Sequence, residues 1–408
     1  MNDTIRAGEF HMVCNSHADR ASADTRPFGA DCARQVRAFH ETVPGYAVTP
    51  LTALPALAEE LGLRAFYVKD ESRRFGLNAF KGLGGSYAVA RILSARLGAA
   101  DACLPYERLR EKCKGVPQPL TFVTATDGNH GRGVAWAARI MGQRAVVYLP
   151  AGSADERVQN IRRQGAQAFV TEWGYDETVR YAVRQAEENG WILVQDTAFA
   201  GYEEIPRLIM QGYTTMALEI GEQLEQPPTH LFLQAGVGSM AGAVAAFFSG
   251  RYGAACPRII VVEPEGADCF YRTAAADDGA LHAAKEPLRS IMAGLCCGEV
   301  CPPAWQILSK TADAFVAMPD SAAALGMRVL AAPLPGDPAI VSGESGAAGA
   351  GLAVSLMRRR ELAALRESLG LGRDSRVLCI STEGATDREN YRRIVWDGAY
   401  GTVLTARG

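Results

Sequence analysis

The sequence predicts an α/β protein with two doubly wound parallel-sheet lobes, and three observations carry that prediction. Short apolar runs alternate with helix-period segments from about residue 120 to 195, and a second such series follows Gly201. Several of these runs end in glycine-bearing turns that open directly into a helix. At 408 residues, nearly half of them hydrophobic, the chain is too long for one small core and has ample material for two.

In chain order, residues 1–27 hold polar residues, a glycine and two histidines without an apolar signal core, so they are expected to be a disordered lead and not a signal peptide. Residues 33–43 and 53–63 read as helices, and Ala65-Phe66-Tyr67-Val68 as a buried strand. A small-residue helix follows Lys81, and residues 101–119, charged and proline-broken, read as a surface connection. Strands are expected at 120–125, 145–149, 168–171 and 191–195, with helices at 133–140, 154–164 and 176–189 between them. The second series runs through a helix at 205–223, strand 230–234, helix 243–249 and strand 258–262. Mixed loop and helix over 266–303, helices at 322–332 and 346–367, and a last strand at 376–380 complete it.

Composition excludes several classes of function. A net charge of −3 gives no electrostatic case for nucleic acid or an anionic membrane, and no apolar run is long enough to span a bilayer. The ten cysteines are scattered. Cys296, Cys297 and Cys301 cluster without a paired C-x-x-C frame, so no metal site is expected and the cytoplasm is the expected location. Cys269 and Cys297, which flank the 266–303 region, are expected to lie close enough to bridge under oxidation.

The chemistry gathers in strand-to-helix turns, where open parallel sheets collect ligands. Lys81 stands at the mouth of a helix N-terminus, where the dipole disfavours a cation and favours the neutral, nucleophilic amine; its other reading is a solvated surface lysine. In Gly236-Val237-Gly238-Ser239-Met240-Ala241-Gly242 the glycines let backbone approach a phosphate at a helix start, with the Ser239 hydroxyl as a further donor. The spacing is not that of a dinucleotide loop, although Glu263 ends the next strand where a ribose-binding acid would sit, so a nicotinamide oxidoreductase is one alternative. In Thr126-Asp127-Gly128-Asn129-His130-Gly131, Asn129 offers a donor and an acceptor, Asp127 is either functional or a helix cap, and His130 reads as a packed structural residue. Ser381 or Thr382 offers a hydroxyl suited to a ring nitrogen, or else an ordinary turn residue. A nucleophilic lysine, a phosphate cup, an amide and a hydroxyl are together what pyridoxal phosphate needs.

The order of these motifs resembles the tryptophan-synthase-like, fold-type-II pyridoxal-phosphate enzymes. More narrowly, Arg74-Phe-Gly-Leu-Asn-Ala-Phe-Lys81, Thr126-Asp-Gly-Asn-His-Gly-Arg-Gly-Val-Ala-Trp136, Val194-Gln-Asp-Thr-Ala198, Gln234-Ala-Gly-Val-Gly238, Ile291-Met-Ala-Gly-Leu295, Ser342-Gly-Glu-Ser-Gly346 and Ile380-Ser-Thr-Glu-Gly384 resemble the diaminopropionate ammonia-lyase family, from about residue 33 to 400. Ala79 and Thr126-Asp127 depart from the Ser-Phe-Lys and Ser-Ser-Gly-Asn-His patterns of the threonine dehydratase and serine racemase branch.

The resemblance implies a large cofactor-binding domain of residues 28–96 and 208–408, a small domain of 97–207, and the cofactor pyridoxal 5′-phosphate in the cleft between them. It implies α,β-elimination of 2,3-diaminopropionate to pyruvate and two ammonia, with Lys81 as the Schiff-base residue and Asp127 as a second base for the D-isomer. Gly236, Val237, Gly238, Ser239 and Met240 would take the phosphate, Asn129 the phenolic oxygen, and Ser381, or Thr382 by a slip of one, the ring nitrogen. Thr126, Asp127, Gly128 and Asp196 would meet the substrate, with Asp196 on its distal ammonium. The expected partner is a small amino acid, and the expected assembly is a cytoplasmic homodimer. The alternatives are a related lyase acting on serine or threonine and a ligand-binding pseudoenzyme.

Overall fold

The computed structural model describes residues 2–115, 118–126 and 128–401. Among these, twelve strands form two sheets. The strands are β1 (Asp3–Ala7), β2 (Phe10–Cys14), β3 (Leu51–Ala53), β4 (Ala65–Asp70), β5 (Thr121–Ala125), β6 (Arg144–Leu149), β7 (Gln167–Val170), β8 (Ile192–Leu193), β9 (His230–Gln234), β10 (Arg258–Pro264), β11 (Ala314–Met318) and β12 (Arg376–Ser381). The larger sheet has the order β1-β2-β11-β10-β9-β12-β4-β3, and the smaller β7-β6-β5-β8. From β11 to β4 the larger sheet is parallel, as the whole smaller sheet is; only its margins are antiparallel. The central strands β9 and β11 are buried along their whole length, as strands covered by helices on both faces must be. The α/β prediction therefore holds.

Two local expectations do not. The lead over residues 1–27 is not disordered where it is described: β1 and β2 form a hairpin that extends the larger sheet against β11. Phe10, Met12 and Val13 are buried there, each worth about 1.5–3 kcal/mol, which is enough to order a segment with a polar composition. The connection at 101–119 contains a helix, Tyr106–Lys114, started after Pro105 and anchored by buried Tyr106 and Leu109.

Small residues bring three helices together around the start of the Lys81 helix. Helices Gly82–Arg96, Asn129–Ile140 and Glu204–Gln223 meet there. A Cβ on Gly212 would come within 2.6 Å of the Gly84 Cα, and one on Gly133 within 2.9 Å of the Lys81 carbonyl oxygen. Glycine is required at both contacts because backbone packs on backbone, and this close packing fixes where Lys81 stands. Among the described residues no helix is long and apolar enough to cross a membrane.

Candidate active site

Five carboxyl-terminal strand ends converge on one cavity: those of β4, β5, β8, β9 and β12 supply Lys81, Asn129, Asp196, the 236–240 loop and Thr382. Lys81 immediately precedes helix Gly82–Arg96. The loop before it turns through positive φ at Phe75 and Asn78, and is then tied to the end of β12. The Phe80 N–H donates to Thr382 O at 3.0 Å, the Gly384 N–H donates to Asn78 O at 3.0 Å, and Ala79 forms an isolated bridge with Glu383. The loop that carries the amine and the segment on the opposite wall are thus one unit.

Lys81 Nζ donates to Asp196 Oδ2 at 2.5 Å. Asp196 is buried, which alone would raise its pKa; His130 and the Lys81 ammonium outweigh that and hold it at about 2. His130 is buried as expected, with Nε2 2.7 Å from Val194 O, but its Nδ1 also lies 3.7 Å from Asp196 Oδ2. Packing and electrostatics are therefore joined in this residue.

Residues Gly236 to Met240 all line the cavity. Gly238 has φ +93°, and a Cβ there would lie 2.2 Å from the Phe270 ring, so both backbone and space demand glycine. Helix Ser239–Tyr252 starts at this loop, and Ser239 Oγ donates to Asp196 O at 2.6 Å, joining the loop to the smaller sheet's strand ends. Glu263 is not part of a ribose site. It accepts from the Phe270 and Tyr271 N–H groups at 2.8 and 2.7 Å, capping the helix Cys269–Ala276, and burial pushes its carboxyl up to about 8. Cys269 and Cys297 are both buried thiols, not joined to each other, that adjoin Gly236; burial, Glu263 and Cys297 push the Cys269 thiol well up.

On the far wall, Asn129 Nδ2 donates to Glu383 Oε2, and Glu383 also accepts from Thr386 Oγ1 at 3.0 Å. Glu344, buried nearby, is pushed up to about 7 by burial and by Glu383. Of the hydroxyl pair, Ser381 turns away and donates to Ser342 Oγ at 2.8 Å, whereas Thr382 lines the cavity and accepts from Gln234 Nε2 at 3.1 Å. Thr126 accepts from the Gly128 and Gly131 N–H groups at 2.9 and 3.0 Å; neither Thr126 nor Gly128 is among the described residues of the cavity wall. Asp127 lies outside the described residues.

Sequence reasoning missed Gln234, Tyr175, Tyr213 and Glu383 as cavity residues. Gln234 and Glu383 stood inside quoted motifs, and a polar residue at the carboxyl end of a buried strand was the available signal. Tyr175 and Tyr213 gave none. The Tyr175 hydroxyl accepts from Gln195 Nε2 at 3.1 Å and donates to Asp196 Oδ1 at 3.4 Å.

The donor set fits a phosphorylated pyridine aldehyde: a primary amine, a glycine-walled helix start, an amide and a hydroxyl around one space. Gln234 Oε1 is in addition buried on this wall with no partner among the described residues.

Comparison with known proteins agrees. Residues 43–383 match the model of the pyridoxal-phosphate dependent enzymes. The chain is 50% identical to the diaminopropionate ammonia-lyase of Salmonella typhimurium over 89% of this chain and 92% of that protein. It superposes on holo diaminopropionate ammonia lyase from Escherichia coli with TM-score 0.91, 44% identity and coverage of 98% of this chain and 99% of that one. The Escherichia coli enzyme in complex with an aminoacrylate-PLP azomethine reaction intermediate superposes with TM-score 0.88 and 44% identity, over 98% of this chain and 100% of that one. The chain belongs to the pyridoxal-phosphate-dependent enzymes, within the diaminopropionate ammonia-lyase family.

Proposed function

We propose that the protein eliminates ammonia from 2,3-diaminopropionate, in its D- and L-forms, to give pyruvate and two ammonia. The observation that carries this reading is the Lys81–Asp196 pair. Asp196 is a buried carboxylate on the cavity wall that already holds an ammonium group. When Lys81 is engaged with the cofactor, that carboxylate is left to a second cation, and the distal amine of diaminopropionate supplies one. Serine and threonine do not.

Pyridoxal phosphate, when bound, takes up the substrate's α-amino group at its aldehyde carbon and lets its ring accept the electron pair left at Cα. The chain does the rest. The 236–240 loop holds the phosphate through backbone N–H groups, Asn129 serves the phenolic oxygen, and Thr382 in place of Ser381 serves the ring nitrogen. Lys81, once released from the cofactor, takes the Cα proton of the L-isomer; Asp127, from the opposite face, takes that of the D-isomer. Asp196 orients the departing β-amine, which leaves as the first ammonia with the electrons of the broken Cα–H bond becoming the new double bond. Released 2-aminoacrylate tautomerises and hydrolyses to pyruvate and the second ammonia.

The strands of the smaller sheet all come from residues 121–193, which supports a small domain of 97–207 set into a large one of 28–96 and 208–408. The same reading places the enzyme in the cytoplasm as a homodimer, in keeping with cysteines that form no disulfide among the described residues; light scattering on the eluted protein tests the assembly. Pyruvate formation from D- and L-diaminopropionate, serine and threonine tests the function. Diaminopropionate should exceed serine in kcat/KM by roughly a hundredfold, the worth of a buried charge contact. A preference for serine would contradict the role of Asp196.

A further inference from the structure

The polar groups behind the cavity wall carry directional information. Gln234 ends β9 with its side chain buried. Its Nε2 lies 2.8 Å from Ile380 O, 3.0 Å from Ser345 O, 3.1 Å from Thr382 Oγ1 and 3.4 Å from Gly346 O. These four oxygens fix the orientation of the amide, because a carbonyl oxygen in that position would face three backbone carbonyls. An amide nitrogen donates and cannot accept. The Thr382 hydroxyl is therefore the acceptor in this pair, and its own proton points elsewhere. Among the described residues Thr382 Oγ1 donates to no protein acceptor, and Thr382 lines the cavity. The neighbouring Ser381 hydroxyl cannot substitute, since it is committed to Ser342.

We propose that Gln234 is a positioning residue: by donating to Thr382 Oγ1 it makes the Thr382 hydroxyl a donor toward the cavity, and so keeps the cofactor's ring nitrogen unprotonated and hydrogen-bonded. This rests on the reading of the cavity as a pyridoxal-phosphate site with Thr382 at the ring. The consequence concerns which reaction the site permits. A carboxylate at this position would draw a proton onto the ring and strengthen it as an electron sink. A neutral donor leaves the ring a weaker sink, so the route that runs to completion is the one in which the β-substituent leaves as the Cα proton is taken. Gln234 would thereby select elimination over side reactions that need charge to dwell on the ring, without touching the reacting atoms.

The test uses holoenzyme reconstituted with pyridoxal phosphate labelled at the ring nitrogen, read by nitrogen NMR, together with cofactor titration of the apoenzyme. Wild type should show the shift of an unprotonated, hydrogen-bonded pyridine. Gln234→Met should move that shift and weaken cofactor affinity about tenfold, the effect of one buried hydrogen bond. In a Thr382→Val background the same substitution should change affinity by less than about twofold, because its target is gone. Gln234→Asn, which withdraws the donor by one methylene but keeps an amide for the neighbouring carbonyls, should behave as Met does and serves if the Met variant does not fold. A protonated ring nitrogen in the wild type, or equal losses in both backgrounds, would overturn the inference while leaving the cofactor reading intact. Wild-type protein that forms no lysine-linked chromophore would overturn the cofactor reading and the inference with it.

Discussion

Two lysines in this molecule lie in or follow the same strand, and each is bound to a carboxylate, yet they differ in what they can do. Lys69, in β4, is wholly buried, and its Nζ donates to Glu219 Oε2 at 2.7 Å, Thr49 O at 2.8 Å and Gln223 Oε1 at 2.9 Å. Three protons meet three acceptors. Arg74 and Glu71 complete a buried neutral cluster around Glu219, with the Arg74 guanidinium 2.7–2.8 Å from both carboxylates. Lys81 is 16% exposed, faces a cavity, and pairs with Asp196. A buried carboxylate partner is common to both. Reactivity follows instead from access: the Lys69 amine is saturated within the fold, whereas the Lys81 amine meets a space that a carbonyl compound can enter. The first cluster anchors the base of the loop that carries the second lysine, so the inert lysine helps to position the reactive one.

Substitutions can break this comparison at either lysine. The largest effect is expected at the reactive one: Lys81→Ala should reduce pyruvate formation by on the order of a thousandfold or more while leaving the far-ultraviolet spectrum unchanged and cofactor still bound through the phosphate loop. Turnover near the wild-type rate would remove Lys81 from the chemistry. Asp127→Asn tests the second base proposed for the D-isomer. It should cut D-diaminopropionate turnover about a hundredfold and the L-isomer much less, and since Asn caps a helix as well as Asp, equal small effects on both would mean a cap and not a base.

At the inert lysine the loss should appear as stability. Lys69→Met leaves Glu219 buried with one cation fewer and should cost roughly 3 kcal/mol in urea unfolding, with the cofactor chromophore retained. Unchanged stability would mean that Arg74 alone suffices for Glu219. Gly238→Ala should cost about 1–3 kcal/mol and weaken cofactor binding as well, from the positive φ and the approach to Phe270. A substitution there disturbs fold and cofactor together, so stability and cofactor affinity must both be read.

An effect of comparable size is expected with pH. Asp196 and Glu219 are each held at about 2, against ordinary values of 3.8 and 4.5. A depressed folded-state value adds stability above the unfolded value and loses it as pH falls through the folded one, so the loss should run from about pH 4.5 down to 2. Each carboxylate accounts for on the order of 2–3 kcal/mol. Lys81→Ala and Lys69→Met should each make that acid limb shallower, by relieving one carboxylate apiece. An unaltered limb in both variants would show that neither lysine sets its partner's charge.

Lys81, Asn129 and the Gly236–Met240 loop were legible in the sequence because each sits on a strand-turn-helix junction that local residues define. Ser381 and Thr382 were legible only to within one residue. The difference matters because neighbouring strand residues point to opposite faces, and which of them faces the cavity depends on pairing with Ser342 and Gln234 far along the chain. Gln234 gave a signal, as a polar residue ending a buried strand, but not its role, since its partners Ile380 and Ser345 lie more than a hundred positions away. The hairpin of β1 and β2 was missed for a related reason. Its strands are only five residues long, and the strand that β2 pairs with in the sheet, β11, lies three hundred residues later.

Borohydride reduction of the purified holoprotein, followed by peptide mapping of the pyridoxyl group, tests the distinction between the two lysines most directly. The label should lie on Lys81 and be absent from Lys69, and the visible chromophore should bleach as it is fixed. A label on Lys69, or a chromophore that survives reduction with Lys81 unmodified, would contradict that distinction.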